Sequence, residues 1–494
     1  MNNDRRSFIK KLGLGFGALP FLGSTLSHGS NASANTQHFI LNISGRVISK
    51  GKGVKNVVVS DGVTLVKTNT DGEFKFASST QQDFVFISIP AGYEIDRLAN
   101  GSANFFKWIN KRGKNNKLVF DLKPLEESDT NHSFLLLADP QIQNSYEAQQ
   151  LLNVSTPDFI ETIRELNTPN TFGIGCGDLV FDKLELFDSY NQSVQQMNIP
   201  FFEVIGNHDA DLGNRSDATM SPTFKKQYGP TFYSFNRGEV HYVVLDDVFF
   251  IGDKHHYIGY IQEEQLAWLE QDLKFVEPGS TLVVSMHIPA VTGAIHRYPK
   301  DNHIASVLSN REHLYHLLAP FNTHIMSGHT HFNDNVVSDS RYEHCHGTVC
   351  GAWWSGPICH DGTPNGYGVY SAKGSELKWY YKATGHAKNH QFRVFGKNQH
   401  RSYPDLHSVN IWNWDKAWQA YWYEDGIRKG ELIRITSCDP LSIKLHDGPD
   451  LPERRTWVDP QLTDHMFYFK PNEQAKKVEV EVIDRFGNIY REIV

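Results

Sequence analysis

Hydrophobic positions in the first quarter of the chain come in short runs separated by polar residues. Residues 84–89, for example, are all apolar, aromatic or small, which is typical of a strand. Asp61-Gly62 and Asp71-Gly72 supply the residues that tight hairpin turns require. The pattern predicts a β-sandwich domain over 35–127, and a polar patch at 126–131 marks its end.

A different pattern runs from residue 132 to about residue 385, where apolar runs alternate with amphipathic helices. Residues 157–166 and 262–275 carry apolar side chains at helical spacing. The runs that predict strands are 134–137, 172–174, 201–205, 242–245, 281–284 and 324–326. Such alternation predicts an α/β domain with a partly parallel sheet, to which we assign residues 128–387.

The remainder of the chain, 388–494, is predicted to be a β-rich domain. Residues 478–483 alternate as a strand does. Four tryptophans lie within eleven residues, at Trp412, Trp414, Trp418 and Trp422. We interpret them as the core of a sandwich and its contact with the middle domain, rather than as a carbohydrate-stacking face.

The N-terminus is typical of a cleavable export signal. Arg5 and Arg6 precede an apolar, glycine-rich stretch at 12–26, and Ala32-Ser33-Ala34 follows it. The stretch is too short to be a convincing transmembrane helix, and we expect no transmembrane segment in the mature protein. The arginine pair resembles a twin-arginine signal over residues 1–34, which implies a periplasmic or extracellular protein.

Composition narrows the classes of function. The chain has 494 residues, 39% of them hydrophobic and 21% charged, as globular proteins do. Its formal net charge is −8, which disfavours general nucleic-acid binding. There are 24 histidines, enough to suggest metal binding without showing it. The cysteines number five, an odd count, and Cys345 with Cys350 is a weak candidate for a disulfide or a metal pair.

Five of the predicted strands in the middle domain are followed by potential metal ligands. The blocks are Asp139-Pro140-Gln141, Gly177-Asp178, Gly206-Asn207-His208-Asp209, Met286-His287 and Gly328-His329-Thr330-His331. Ligands in open α/β sheets gather outside the carboxyl ends of the strands, so these loops can converge on one site.

The order of these blocks resembles the calcineurin-like metallophosphoesterases, whose pattern runs Asp-x-His, Gly-Asp, Gly-Asn-His-Asp/Glu, His, Gly-His-x-His. Four of the five blocks match, and Gln141 departs by standing where the first block usually has histidine. The whole chain resembles exported bacterial members of the family. The resemblance implies a central β-sandwich flanked by helices, a prealbumin- or Ig-like sandwich before it and a β domain after it.

The resemblance also implies two divalent metal ions, with Asp178 as the bridging ligand. The other ligands would form two sets, Asp139, Gln141 and His331 at one ion and Asn207, His287 and His329 at the other. Mixed carboxylate, amide and imidazole donors suit Mn, Fe, Zn, Ni or Mg. Two such ions polarise a phosphoryl group and generate a hydroxide for in-line attack.

His208 and Asp209 are the implied catalytic residues. His208 would bind the phosphoryl group or protonate the leaving oxygen, and Asp209 would hold its ring, unless Asp209 is only a solvated loop charge. Asp182, four residues after Asp178, is either a further supporting residue or a helix N-terminal charge.

A loop rich in glycine and proline follows the last ligand block and predicts a shaped surface. The candidate substrate-binding residues in it are Trp353, Trp354, Asp361 and Tyr367. The tryptophans would form an aromatic wall for a sugar or ring-bearing leaving group. The alternative is that they fill the gap between the sheet and the C-terminal domain.

Dinuclear metal-dependent hydrolysis of phosphate mono- or diesters is the predicted function, with small-molecule, nucleotide or glycan phosphates as substrates. An exported Ser/Thr-type protein phosphatase is one alternative. Another is a cell-surface glycan-binding protein with degenerate catalysis. The presence of Asp178, His208 and His287 argues against degeneracy.

Overall fold

The computed structural model describes residues 39–252, 255–338, 340–449 and 451–494. The predicted export signal at 1–34 lies outside these residues. No helix in the described part of the chain combines the length and the hydropathy needed to cross a lipid bilayer.

Two four-stranded sheets form the N-terminal sandwich. The first contains β1 (Ile40–Ser49), β2 (Lys52–Gly53), β5 (Glu73–Ser79) and β8 (Asn115–Asp121). The second contains β3 (Val58–Ser60), β4 (Leu65–Lys67), β6 (Phe84–Ile87) and β7 (Phe106–Trp108). Every second side chain of β5 is buried between the sheets, as the period of a strand requires. Gly72 has a φ of +75°, which fits the predicted turn before β5.

The middle domain contains a five-stranded sheet in the order β11-β10-β9-β20-β21. Its strands are β9 (Asn131–Leu137), β10 (Thr171–Cys176), β11 (Phe201–Val204), β20 (Gly366–Lys373) and β21 (Glu376–Ala383). β9, β10 and β11 are parallel, and β20 joins β9 in the antiparallel direction. The first three strands are buried on both faces, which explains their unbroken apolar sequences.

A six-stranded sheet packs against the first in the order β12-β13-β16-β17-β19-β18. Its strands are β12 (Tyr233–Arg237), β13 (Val240–Val244), β16 (Thr281–Ser285), β17 (Asn322–Ser327), β18 (Asp334–Val337) and β19 (Arg341–Cys345). β13, β16, β17 and β19 are parallel. A separate hairpin pairs β14 (Val248–Phe250) with β15 (Tyr257–Gly259). The ring of Tyr242 meets that of Phe134 at 5.7 Å between the two sheets.

Helices accompany the two sheets, so the predicted sandwich flanked by helices is confirmed. They are α1 (Ser145–Gln150), α2 (Thr156–Leu166), α3 (Phe187–Met197), α4 (Pro222–Tyr228), α5 (Glu263–Leu273), α6 (Ala294–Arg297) and α7 (Arg311–Leu318). A π-helical turn, Leu151–Ser155, joins α1 to α2, and 3₁₀ turns occur at Leu184–Leu186 and Asp217–Thr219. Pro157 in the first turn of α2 and Asn167 in the left-handed conformation after it explain where that helix begins and ends.

The C-terminal domain is a second sandwich. One sheet contains β22 (Arg393–Phe395), β23 (His407–Asn410), β26 (Ile433–Arg434) and β29 (Met466–Phe469). The other contains β24 (Gln419–Glu424), β25 (Ile427–Glu431), β30 (Val478–Ile483) and β31 (Ile489–Ile493). A short pair, β27 (Ser437–Cys438) with β28 (Leu462–Thr463), and α8 (Pro440–His446) complete it.

Apolar contacts connect the domains and complete their cores. Trp418 is buried in the C-terminal core, and Trp414 and Trp422 pack against it, in agreement with their interpretation as core residues. The ring of Phe105 in the N-terminal sandwich packs against that of Tyr233 in the middle domain, with ring centroids 4.4 Å apart. Each of the five cysteines is a free thiol, so Cys345 and Cys350 are not joined.

Candidate metal centre

The five ligand blocks follow the carboxyl ends of β9, β10, β11, β16 and β17. Parallel strands bring neighbouring carboxyl ends to one edge of each sheet, and the two sheets face each other. All seven predicted ligands consequently lie in one region of the middle domain. Most of them are buried, as Asp178 is with 1% of its surface exposed.

Backbone conformation sets these loops apart from ordinary turns. The predicted ligands with left-handed backbone are Asp139 (φ 47°), Gln141 (φ 39°), Asp178 (φ 51°), His329 (φ 70°) and His331 (φ 54°). A non-glycine residue in such a region costs on the order of 1–3 kcal/mol, and such residues cluster at functional sites. The fold therefore holds these side chains in place at a conformational cost.

Asp178 lies at the centre of the cluster. Its Oδ2 accepts a hydrogen bond from Gln141 Nε2 at 2.6 Å, and its Oδ1 accepts one from the backbone N–H of His208 at 2.8 Å. Its Oδ1 also lies 3.3 Å from Nε2 of His287. The carboxylate therefore contacts both predicted ligand sets, which is what a bridging ligand requires.

Two histidine rings and an amide meet beside Asp178. Nε2 of His287 lies 3.1 Å from Oδ1 of Asn207 and 3.2 Å from Nδ1 of His329. The opposite ring nitrogens lie close to backbone carbonyls, that of His287 to Cys176 at 3.0 Å and that of His329 to Ala305 at 2.9 Å. Such carbonyl acceptors fix the tautomer and turn the remaining lone pair of each ring toward the shared space.

The second ligand set lies on the other side of Asp178. Nε2 of His331 is 3.5 Å from Oδ1 of Asp139, and Nδ1 of His331 donates to the carbonyl of Gly351 at 2.6 Å. Oδ1 of Asp139 and Oε1 of Gln141 are buried and have no hydrogen-bond partner among the described residues. A buried oxygen without a hydrogen-bond partner is costly, so both atoms are available to a ligand from outside the protein.

These residues fit divalent metal ions. Asp178, His287 and His329 offer ligand atoms that all lie within 4.8 Å of one another. The imidazole nitrogens of His287 and His329, which face each other at 3.2 Å beside the carboxylate of Asp178, present lone pairs that a cation satisfies. Carboxylate, amide and imidazole donors suit any of Mn, Fe, Zn, Ni and Mg, so the donor set does not select one of them.

Electrostatics of the protein alone show why a cation fits this space. Burial opposes a charge on His287, yet the carboxylate of Asp178 raises the pKa of His287 to about 10. Burial, together with His287, lowers the pKa of His329 to about 3. One positive charge is therefore stabilised between the two rings, and a bound cation takes the place of that proton.

His208 is held by Asp182, so the prediction that Asp209 holds its ring is wrong. Nδ1 of His208 donates to Oδ1 of Asp182 at 2.6 Å, and the ring of Phe181 stacks on His208 at 4.1 Å. The carboxylate of Asp209 points the other way, accepting hydrogen bonds from the backbone N–H groups of Val180 at 3.1 Å and Gly206 at 2.9 Å. Asp209 therefore joins the loops after β10 and β11, and Asp182 has the supporting role.

Trp353 is the one predicted substrate residue that faces the ligands. Its ring stacks on His331 with centroids 3.9 Å apart and an interplanar angle of 15°. Trp354 turns into the protein, where its Nε1 donates to the carbonyl of Pro140 at 2.9 Å. Trp354 thus supports the first ligand loop from within the middle domain.

Tyr367 and Asp361 do not reach the centre, and their prediction as substrate-binding residues is wrong. Tyr367 is fully buried, and its hydroxyl contacts Thr162 and the carboxylate of Asp158, both at 2.7 Å. Asp361 is also fully buried and lies 3.0 Å from Nε2 of His465 in the C-terminal domain. Both residues join structural elements.

The structure adds Asp247, which the sequence analysis missed. Its Oδ1 accepts hydrogen bonds from the backbone N–H groups of His287 at 3.1 Å and Ile288 at 3.2 Å. Burial raises the pKa of Asp247 to about 7 although His287 opposes this. The signal was present in the sequence, because Asp246-Asp247 follows β13 as the ligand blocks follow their strands.

The middle domain has the fold of the calcineurin-like metallophosphoesterases. A family model described as calcineurin-like phosphoesterase matches residues 132–333, and models of the N terminal and C terminal of calcineurin-like phosphoesterase match 41–125 and 343–490. The three matches together span most of the chain, which is therefore similar to the calcineurin-like phosphoesterases along most of its length. Members of that family use dinuclear metal centres.

Individual relatives are distant. The serine/threonine-protein phosphatase CPPED1 of Mus musculus is 28% identical over 190 residues, 36% of this chain and 59% of that protein. The same phosphatase of Rattus norvegicus is 30% identical over 144 residues, 27% of this chain and 45% of that protein. Among solved structures, a purple acid phosphatase from Lupinus luteus matches with a TM-score of 0.39 and 14% identity, covering 67% of each chain.

Proposed function

We propose that the protein hydrolyses phosphate mono- or diesters, of small-molecule, nucleotide or glycan type, at this centre. The observation that carries the proposal is the convergence of unpartnered ligand atoms, Oδ1 of Asp139 and Oε1 of Gln141, with the facing rings of His287 and His329. When bound, two divalent ions would polarise the phosphoryl oxygens and lower the pKa of coordinated water.

His208 provides the proton chemistry that the protein itself contributes. Nδ1 is engaged by Asp182, which leaves Nε2 directed toward the centre, 4.0 Å from Oδ2 of Asp178. Burial opposes the charged form, but Asp178 and Asp182 raise the pKa of His208 above its ordinary value. A ring held in this way hydrogen-bonds a phosphoryl oxygen from Nε2 or donates that proton to the leaving oxygen.

Hydrolysis of p-nitrophenyl phosphate and bis-p-nitrophenyl phosphate tests the proposal. Metal-stripped protein receives Mn, Zn, Fe, Ni or Mg singly, and Asp178→Asn is compared with Asp405→Asn, an exposed carboxylate of the C-terminal domain. We expect metal-dependent turnover that Asp178→Asn abolishes and Asp405→Asn retains, and the better substrate distinguishes a monoesterase from a diesterase. Absence of both turnover and stoichiometric metal contradicts the proposal and supports a glycan-binding protein.

A serine/threonine phosphatase is the second candidate, because the curated relatives carry that name. The matched stretch is only 36% of this chain. The relatives therefore support phosphoester hydrolysis more than they support a particular substrate. Phosphoserine and phosphothreonine peptides assayed beside the nitrophenyl esters separate the candidates. A higher kcat/KM on peptides supports the second candidate, and a lower one supports small esters.

We also infer that the protein is exported to the periplasm or beyond. The support is the basic start, the short apolar stretch and the small residues before residue 35. Replacing both Arg5 and Arg6 by lysine tests the twin-arginine interpretation by cell fractionation. Retention of the variant in the cytoplasm supports the twin-arginine interpretation. Unchanged export of the variant shows that the arginine pair is not required and contradicts that interpretation.

A further inference from the structure

A short segment of the C-terminal domain lies against the metal centre. The ring of Trp457 contacts that of Trp353, with centroids 4.6 Å apart, and Trp353 itself stacks on the ligand His331 at 3.9 Å. Three rings in succession therefore connect a predicted metal ligand with another domain. The outermost member, Trp457, is 44% exposed.

Arg455, two residues earlier, contacts the opposite side of the same centre. Its guanidinium lies 5.2 Å from the ring centroid of Phe181, which stacks on His208 at 4.1 Å. The segment 455–457 therefore touches the ring that covers the predicted acid and the ring that covers a metal ligand. The segment therefore lies where the leaving group of an ester bound at the centre can reach it.

A partly buried ion pair fixes the segment to the middle domain. Nη2 of Arg455 donates to Oε1 of Glu147 at 3.0 Å and to Oε1 of Gln143 at 2.9 Å. Glu147 is only 1% exposed, so its charge depends on Arg455 for compensation. Arg455 also has a left-handed backbone, with φ of 56°, which sets the direction of the chain toward Trp457.

An exposed tryptophan beside a metal centre offers a flat apolar surface. Aromatic faces bind other flat rings by stacking, and an exposed indole supplies a large area with little conformational entropy to lose. The neighbouring Trp353 holds Trp457 at an interplanar angle of 57°, so the two rings form a corner rather than one flat wall. Because Trp353 is already covered by His331, the exposed part of Trp457 is the surface that an incoming ring contacts.

We propose that residues 455–457 form the outer wall of a leaving-group subsite that takes phosphate esters whose leaving group carries a flat ring. Trp457 is its stacking surface, and Arg455 is a positioning residue that holds the wall against the middle domain. The inference rests on the proposed function, since it assigns specificity to the same centre.

The test compares an ester with a flat ring, p-nitrophenyl phosphate, and one without, glycerol 2-phosphate. We expect Trp457→Ala to lower the ratio of the two kcat/KM values about five-fold, mainly by raising KM for the aryl ester. Trp457→Phe retains most of the ratio because it keeps a ring. Trp108→Ala, at an exposed tryptophan of the N-terminal sandwich, leaves the ratio unchanged.

Arg455 is tested by the same ratio. Arg455→Ala is expected to lower the ratio of the two kcat/KM values, as Trp457→Ala does. Arg455→Lys is expected to retain part of the ratio, because a positive charge still faces Glu147. If Arg455→Ala does not fold, Trp457→Ala still decides the inference, since an exposed side chain is truncated without a buried charge being left behind.

The outcomes separate the inference from the proposed function. If the wild-type protein hydrolyses both esters and Trp457→Ala leaves the ratio unchanged, the subsite is wrong and the hydrolase stands. If the wild-type protein hydrolyses neither of these esters nor bis-p-nitrophenyl phosphate with any metal, the proposed function fails and the subsite fails with it.

Discussion

Asp182 and His208 form a partly buried pair 2.6 Å apart, in which the carboxylate comes from the loop after β10 and the imidazole from the loop after β11. The pair leaves Nε2 of His208 as the nitrogen that faces the centre. A neutral or misdirected ring at this position cannot serve as a proton donor there.

Asp182→Asn is expected to lower kcat about 10–100-fold with little change in bound metal, because the partner that orients His208 is weakened. Steady-state kinetics together with elemental analysis check it. Asp188→Asn, at an exposed carboxylate of α3, is the matched control and retains activity. Loss of metal in Asp182→Asn would instead assign Asp182 to ligation.

Gln141→Ala is expected to weaken one of the two metal sites about 10–100-fold, since it removes a ligand whose oxygen has no other partner. Gln141→His supplies the stronger donor that the family usually has and is expected to tighten that site. Metal stoichiometry after dialysis is the measurement, with exposed Gln149→Ala as the control. Two retained ions in Gln141→Ala contradict a ligand role.

Arg297 connects the middle and C-terminal domains through Asp334 at 2.8 Å and Asp464 at 2.9 Å, and its side chain is 2% exposed. Arg297→Ala is expected to lower the free energy of unfolding by about 3–5 kcal/mol, because Asp334 is left buried and uncompensated. Arg401→Ala breaks the exposed pair with Asp447 and is expected to cost less than about 1 kcal/mol. Urea unfolding measures the free energy of unfolding of both variants. Equal losses of unfolding free energy would show that the burial of the Arg297 pair does not cause the larger effect.

Acid is expected to destabilise the protein through His346. Its Nε2 bonds the hydroxyl of Tyr370 at 2.7 Å, and burial lowers the pKa of His346 from 6.5 to about 3. The unfolded chain therefore binds a proton below pH 6.5 that the folded chain does not bind until about pH 3. The stability that the neutral ring provides is complete above pH 6.5 and is lost as the pH falls toward 3.

His346→Gln removes this contribution while keeping a side chain that can bond Tyr370. Between pH 6.5 and 5, the wild type is expected to lose about 2 kcal/mol more unfolding free energy than the variant. Urea titrations at the two pH values measure the difference. Exposed His296→Gln is expected to follow the wild type, and parallel losses in His346→Gln would show that other groups set the acid sensitivity.

The ligands could be predicted because each directly follows an apolar strand, and strand ends are recognisable in a sequence. The partner of His208 could not, because adjacency along the chain does not give the direction of a side chain. Asp209 is next to His208 yet points to Gly206, whereas Asp182 comes from another loop. Tyr367 was misplaced for a similar reason, since a turn-rich sequence does not distinguish a surface loop from the start of β20.

The contact of the C-terminal domain with the metal centre could not be predicted from the sequence either. Arg455 bonds Gln143, which lies 312 residues earlier in the chain. The segment around it belongs to no helix or strand, so it has no periodicity that predicts a buried face. Only the packing of one domain on another brings these residues together.

The position of β20 beside β9 has a consequence for the order of folding. Ser133 of β9 contacts Ser371 of β20, a partner synthesised 238 residues later. Until the ribosome has delivered β20, β9 is an unprotected edge whose backbone groups can pair with other chains. Contacts of such high contact order form slowly, so we expect the edge of β9 to stay open to pairing with other chains until β20 has been translated.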